Sequence, residues 1–141
     1  MRVTIYATNS SRSFQCGNGG FFNLRVNIAK AWDKEFGEHY AGLVMCWSKE
    51  AYDEFDKKTE EIFSDPRFKD EDQDIVDFFF ASDCGGYITH KTCKKIYDLI
   101  KNIDFGKAIF TYAAHSDGKD YEHFKEFLLE CYKHRRYMKW D

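Results

Sequence analysis

The chain has 141 residues, about the size of one ordinary domain, and is long enough to bury a hydrophobic core without disulfides or metals to support it. Apolar residues make up 43% of the chain and charged residues 32%, which is typical of a water-soluble globular protein. No apolar run approaches the roughly 20 residues that span a bilayer, and the first residues do not follow the pattern of a secretion signal. We therefore expect one globular domain over residues 1–141, located in the cytoplasm and not associated with a membrane.

Cysteine count and charge distribution narrow the classes of function. The five cysteines are odd in number, widely spaced and without a C-x-x-C pair, so reduced thiols are expected rather than a disulfide framework. The net charge is −3, but the charges are unevenly distributed along the chain. From Asp53 to Asp77 there are eleven acids and four bases, and from Lys133 to Lys139 there are four bases and no acid. This pattern argues against general nucleic-acid binding, but not against a local phosphate site.

The N-terminal third predicts a strand, a glycine-rich loop and a helix. Residues 3–8, VTIYAT, are β-branched and aromatic and indicate a strand. Residues 9–20, NSSRSFQCGNGG, are polar and rich in glycine near their end, which is typical of a loop. Residues 23–36 carry apolar side chains at helical spacing, and Gly37 is a natural helix end. The apolar run at 41–47 indicates a short strand or a buried turn.

Two helices are predicted in the middle of the chain. Ser48 is a candidate N-cap for a helix that Asp65 ends, just before the only proline. Asp70 or Asp72 is a candidate cap for the next helix, which contains three consecutive phenylalanines.

The last third predicts two more helices and a strand. Thr89 is a candidate N-cap for a helix over residues 90–102, which carries an apolar stripe. Residues 107–116 have a β-rich centre and are a candidate partner for the N-terminal strand, and a final helix is predicted over residues 120–140. The expected fold class is α+β: a mostly helical single domain with about five helices and two or three short strands, the N-terminal one included.

The segment SDCGGYITHKTCKK, residues 82–95, has the outline of an EF-hand calcium loop between two predicted helices. When Gly86 takes the glycine position of such a loop, only Asp83 supplies a carboxylate at the positions where side chains bind the ion. Calcium needs about six to eight oxygen ligands, and this segment cannot supply them. We therefore interpret it as a corner between two helices, in which Gly85 and Gly86 make the bend and Ile88 packs between the helices.

Other metals and catalytic thiols are disfavoured as well. Cys84, His90 and Cys93 come near a zinc-ligand pattern, but no fourth ligand is evident, and Cys93 lies on the apolar stripe of its helix. No local signature singles out a Cys–His pair for nucleophilic catalysis. We therefore expect no metal site, no catalytic residue and no cofactor.

The glycine-rich segment is the more promising site. A strand that feeds a glycine loop and opens a helix lets main-chain N–H groups converge on an anion, and bases stand near this segment and near the C-terminus. The candidate ligand-binding residues are Arg12, Asn18, Gly19, Gly20, Arg25, Arg135 and Arg136. The segment is neither a Walker A loop nor G-x-G-x-x-G, and a flexible turn that needs positive φ explains its glycines equally well.

Five segments carry a resemblance to known sequences: CGNGGFF, NIAKAWD, FFFASDCGG, KTCKKIYDLI and FKEFLLECYKHRRYMKW. Over most of its length the chain resembles small uncharacterised proteins of phages and mobile elements in Gram-positive bacteria. The resemblance implies no activity and no catalytic residues. It implies a setting, the infected bacterial cell, in which small accessory proteins act on host proteins or sequester nucleotide-derived messengers of anti-phage defence.

Three hypotheses follow. The first is a non-enzymatic counter-defence protein that sequesters an anionic, nucleotide-derived host signalling molecule. The second is a protein-binding inhibitor of a host defence protein, acting through the acidic face at residues 53–77. The third is a thiol- or metal-dependent enzyme. Homo-oligomers are expected if exposed aromatic residues form an interface.

Overall fold

The computed structural model describes residues 2–105 and 119–141, and within these ranges the protein is a single α+β domain with six α-helices and one four-stranded antiparallel sheet. The predicted fold class is therefore confirmed, with the N-terminal strand among the strands of the sheet. The strand predicted over residues 107–116 lies outside the described residues.

Strands and helices are mixed along the chain. The strands are β1 (Arg2–Ala7), β2 (Ser13–Gly17), β3 (Gly86–Ile88) and β4 (Met138–Trp140). The helices are α1 (Asn18–Trp32), α2 (Lys34–Ala41), α3 (Lys49–Phe63), α4 (Gln73–Phe80), α5 (His90–Ile100) and α6 (Lys119–Lys133). Two short 3-10 helices, Gly42–Met45 and Asp70–Asp72, precede α3 and α4.

The sheet has the strand order β2–β1–β4–β3, so the last strand of the chain lies in its interior. Alternate side chains of a strand point to opposite faces of a sheet. The inner face carries the buried residues Val3, Ile5, Ala7, Cys16, Ile88, Met138 and Trp140. This face packs against the helices, since the Trp140 ring contacts Phe21 of α1 and Phe78 of α4 at centroid distances of 5.6 and 5.5 Å.

Strand β2 corrects the prediction of a loop over residues 9–20. Ser13 and Gln15 are exposed, whereas Phe14 is half-buried and Cys16 is buried, which is the alternation of an edge strand. The polar residues and glycines around this short segment concealed its period of two.

Helix α1 ends before Asp33 rather than continuing to Gly37. The Asp33 carboxylate accepts a hydrogen bond from the N–H of Phe36 at 2.9 Å and so caps a separate helix, α2. Gly37 is buried inside α2, where an added Cβ would lie 2.5 Å from the main chain of Lys30. The glycine therefore allows α1 and α2 to approach closely, and it does not end a helix.

Residues 41–47 form neither a strand nor a buried turn: they end α2 and continue into an exposed 3-10 helix. The predicted cap of α3 is confirmed, because the Ser48 hydroxyl accepts a hydrogen bond from the N–H of Ala51 at 3.1 Å. Asp72 precedes α4 but makes no capping hydrogen bond with its side chain.

The predicted corner over residues 82–95 contains strand β3. Ile88 is therefore buried as a strand residue, on the inner face of the sheet. The predicted cap of α5 is confirmed, since the Thr89 hydroxyl accepts a hydrogen bond from the N–H of Thr92 at 3.4 Å. Cys93 is fully buried, as its position on the apolar stripe predicts.

Helix α6 ends at Lys133, so the prediction of a helix over residues 120–140 is wrong in its last turns. Arg135 has a positive φ of 53°, which turns the chain out of the helix. The chain then enters β4, where Trp140 is buried in the middle of the sheet. The Trp140 ring is consequently a core residue and is not available to stack on a ligand.

Candidate functional site

Arg25, one of the predicted ligand contacts, points into the protein. It is 5% exposed, and its Nη1 atom donates hydrogen bonds to the carbonyl oxygens of Phe78, Phe79 and Ala81, at 3.2, 3.2 and 2.7 Å. These carbonyls lie at the C-terminal end of α4, where the last carbonyls of a helix have no partner within it. The guanidinium also lies 4.2 Å from the centroid of the Phe21 ring. Arg25 therefore ties the end of α4 to α1.

Arg12 lies elsewhere, in the turn between β1 and β2. Its guanidinium donates to the carboxylates of Glu126 and Glu130 on α6, at 3.3 and 2.9 Å. Arg12 and Arg25 thus contact different helices, and the structure does not bring their guanidinium groups together in one cluster of contacts. Their assignment to a ligand stays a prediction.

The glycine-rich segment forms the first turn of α1. Gly17 is the N-cap residue, with a φ of −75°, and Asn18, Gly19 and Gly20 are helical. An added Cβ at Gly19 would meet nothing within 4 Å, and no glycine of this segment has a positive φ. The alternative of a turn that needs positive φ is therefore wrong. The first turn of a helix is still a place where main-chain N–H groups lack partners within the helix.

Arg135 and Arg136 lie at the edge of an exposed surface. The sequence predicted these two arginines as a candidate site but not the other residues of the surface. Arg135 is exposed and Arg136 is half-buried, and the chain continues directly onto the outer face of the sheet. On that face Tyr87 of β3 is 62% exposed and Tyr137, next to β4, is 47% exposed. The outer face of the sheet is therefore accessible at its β3–β4 end.

We use the name tyrosine–lysine surface for Tyr87, Tyr137 and Lys139. Lys139 of β4 lies opposite Tyr87 on one side and opposite Tyr6 of β1 on the other. Tyr137 precedes Lys139 by two residues and so shares its face. The rings of Tyr87 and Tyr137 are perpendicular, with centroids 5.5 Å apart. The three side chains line a hollow of about 220 Å³.

A second groove adjoins this hollow and shares Tyr87 with it. It has a volume of about 380 Å³ and is lined by residues of α4, β3 and the start of α5. Two acids, Asp74 and Asp77, lie in its wall, and Asp77 is exposed. The size of the groove is within the range of sites that bind small molecules.

Asp74 is engaged by the protein itself. The Thr92 hydroxyl and the Lys95 ammonium donate hydrogen bonds to its carboxylate at 2.7 and 2.9 Å. Burial raises the pKa of Asp74, but these hydrogen bonds outweigh burial and hold the pKa below its ordinary value. Asp77 is thus the more accessible acceptor in the groove.

Each part of this arrangement can recognise a different chemical group. The Lys139 ammonium makes no ion pair with any residue in the described part of the chain, and can bind a phosphate. A flat ring can stack on one tyrosine while its edge meets the other. The Asp77 carboxylate can accept hydrogen bonds from hydroxyl or amino groups. The arrangement suits a ligand that combines an anion, a flat ring and hydrogen-bond donors.

Metal and thiol chemistry has less support in the structure. In the described ranges, 2–105 and 119–141, no three His, Cys, Asp or Glu side chains are grouped to hold a metal ion. Burial raises the pKa of Cys16 to about 11, and a hydrogen bond with Cys131 together with burial raises the pKa of Cys93. Thiols with raised pKa values are poor nucleophiles at neutral pH. The same hydrogen bond lowers the pKa of Cys131, but that thiol is fully buried. None of the described helices is both long and apolar enough to cross a membrane.

Sequence reasoning singled out Arg135 and Arg136 of the basic C-terminal stretch, but it missed Tyr87. Tyr87 belongs to a three-residue strand inside a segment that was interpreted as a helical corner. The sequence signal was the run Gly-Tyr-Ile at residues 86–88. Three residues are too few to show the alternation of a strand. The pairing of β3 with β4 brings Tyr87 and Tyr137 together.

A comparison of the chain with protein-family models, with curated proteins and with solved structures finds no match in any of the three.

Proposed function

We propose that the protein binds and sequesters an anionic, nucleotide-derived molecule, and that the tyrosine–lysine surface holds this ligand. The single observation that carries the proposal is the perpendicular pair of exposed rings, Tyr87 and Tyr137, with the ammonium of Lys139 on the same face. A nucleotide offers a flat base to the rings and a phosphate to the ammonium.

The chemistry of nucleotides fits the rest of the site. Stacking on an exposed aromatic ring is worth about 1–3 kcal/mol per base. The ribose hydroxyls or the amino groups of a base would donate to Asp77 in the adjoining groove. Arg135, exposed at the border of the surface, would add a second cation for a larger or multiply charged ligand.

The biological setting is part of the proposal and rests on the sequence resemblance alone. In an infected bacterial cell, a protein that holds a nucleotide-derived messenger without converting it would keep that messenger from its receptor. We accordingly propose a non-enzymatic counter-defence protein acting in the cytoplasm of the host.

Calorimetric titration with a panel of mononucleotides, cyclic dinucleotides and ADP-ribose derivatives tests the binding. We expect one class of nucleotide to bind, and Tyr137→Ser or Lys139→Ser to weaken it about tenfold, the loss of roughly 1.4 kcal/mol. Tyr52→Ser is the matched control, because Tyr52 is also exposed, at 48%, but lies on α3. It should bind as the unmodified protein does.

A second experiment searches for ligands outside the panel. The protein is expressed together with an active nucleotide-based defence system, purified and heated, and the released molecules are identified by mass spectrometry. If no nucleotide binds from the panel and none is released, the proposed function is wrong. If Arg12→Ser abolishes binding and Lys139→Ser does not, the ligand lies near the turn between β1 and β2 and the facing side of α6 instead.

A further inference from the structure

A second exposed surface lies between α2 and α3. We use the name Trp47 patch for Val44, Met45, Trp47 and Tyr52, which are exposed by 61, 68, 85 and 48%. Val44 and Met45 belong to the 3-10 helix, Trp47 lies in the following turn, and Tyr52 lies in the first turns of α3. Large apolar side chains exposed together mark sites of interaction on soluble domains.

The indole of Trp47 is held in place although it is exposed. Its Nε1 atom donates a hydrogen bond to the carbonyl oxygen of Val44 at 2.8 Å. The next residue, Ser48, caps α3, so the turn that carries the indole is fixed at both ends. A side chain that is already ordered loses little conformational entropy on binding, and tryptophan is enriched among the residues that dominate binding energy.

Acidic residues lie beside the patch. From residue 49 to residue 56, α3 carries four acids and one base, and all four acids, Glu50, Asp53, Glu54 and Asp56, are exposed. Among the described residues, the ion pair recorded for α3 joins Lys58 to Glu61, one turn further along. Lys57 and Lys58 follow directly, but none of the four acids forms an ion pair within the described part of the chain, and α3 as a whole has six acids and three bases. The helix beside the patch is therefore negative.

We propose that the Trp47 patch and the acidic first half of α3 form a docking surface for a basic amphipathic segment of a partner protein. The apolar side chains of that segment would cover Trp47 and Met45, and its lysines and arginines would meet the carboxylates of α3. Anionic lipids and nucleic acids are repelled by such a helix. The surface lies on elements other than β3 and β4, so it is independent of the proposed nucleotide site.

Selection from a library of random displayed peptides, carried out on the unmodified protein alone, tests this proposal. We expect the selected peptides to carry a net positive charge and one apolar helical face. Their binding should shift the emission of Trp47 to the blue and weaken as salt is added. Trp47→Ser should lower their affinity by more than about tenfold. Tyr137→Ser, an exposed ring on the sheet, is the matched control and should leave affinity unchanged.

Three results would overturn the proposal. One is the selection of acidic or uncharged peptides, and another is equal binding by Trp47→Ser with its fold verified by circular dichroism. The third is self-association of the unmodified chain in sedimentation, lost in Trp47→Ser, because a second copy would then occupy the patch. Neither of the first two results tests the nucleotide site. That site is tested separately, by Tyr137→Ser and Lys139→Ser.

Discussion

Gly86 and Trp140 pack so closely that an added Cβ on Gly86 would lie 2.4 Å from Cζ2 of the indole. The two residues are partners in the pairing of β3 with β4. The indole cannot move aside easily, because it is 1% exposed and its Nε1 atom donates to the carbonyl oxygen of Ser82 at 2.8 Å. The glycine thus allows the indole to pack closely against β3 on the inner face of the sheet, opposite the face that carries Tyr87.

Gly86→Ala should therefore lower the free energy of unfolding by about 1–3 kcal/mol, the usual cost of an extra methyl group in a packed core. Gly42→Ala is the matched control, since a Cβ there would meet nothing within 4 Å and its φ of −70° suits alanine. That variant should be neutral or more stable by a few tenths of a kcal/mol. Urea denaturation measures both, and equal stabilities would contradict the packing argument.

Arg25→Met should destabilise the protein by about 2–4 kcal/mol, because it leaves carbonyls at the end of α4 without a donor. Arg2→Met, at an exposed position of β1, should change stability by less than about 0.5 kcal/mol. The free energy of unfolding of both variants is the measurement. An unchanged stability in Arg25→Met would show that these hydrogen bonds contribute little. Because Arg25 supports the fold, its variants do not separate ligand binding from stability.

The five cysteines should fall into two classes of reactivity. Cys84 is exposed and Cys46 half-buried, whereas Cys16, Cys93 and Cys131 are buried. With a thiol reagent at neutral pH we expect Cys84 and Cys46 to react first, and the buried three only when the protein opens or unfolds. Mass spectrometry of digested samples over time identifies the modified sites. Fast modification of Cys93 would contradict its burial on α5.

Asp33 should make stability depend on pH. A hydrogen bond from Arg67 and one from the N–H of Phe36 outweigh burial and lower the pKa of Asp33. A carboxyl group whose pKa is lower in the folded state stabilises the protein above its unfolded pKa of about 3.9, and this contribution is lost as pH falls through the folded pKa.

Asp33→Ala should therefore cost about 1 kcal/mol at pH 6, the usual cost of removing a helix cap. The difference from the unmodified protein should narrow below about pH 4, because the carboxyl group becomes protonated there. Asp33→Asn keeps the cap without the charge and should show a smaller loss at pH 6. Denaturation curves across this range give the comparison, and a difference that grows on acidification would refute the assignment.

Signals within short stretches of the sequence were sufficient to predict part of the fold. The alternating residues of β1, the caps at Ser48 and Thr89, and the buried stripe of α5 all depend on neighbours within a few residues. Such features can be predicted from the sequence, because cap geometry and periodicity are properties of short segments. The α+β class followed from them.

Features that depend on distant partners could not be predicted in this way. β3 and β4 have three residues each, so neither shows a period of its own, and each exists because it pairs within the sheet. That residues 18–41 form two helices, α1 and α2, and not one depends on the close approach of the two main chains at Gly37. The hydrogen bonds of Arg25 could not be predicted either, since its sequence context does not reveal the carbonyls of α4.

The candidate site likewise has features that the sequence predicts and features that only the tertiary structure shows. The sequence by itself determined that the C-terminal stretch supplies a tyrosine and several cations, because residue type is a local property. Only the tertiary structure decided that Tyr137 and Lys139 face outward, that Trp140 is buried, and that Tyr87 stands beside them. The physical reason is that the register of an antiparallel pair sets both the face and the neighbours of each side chain, and that register is a relation between segments far apart in the chain.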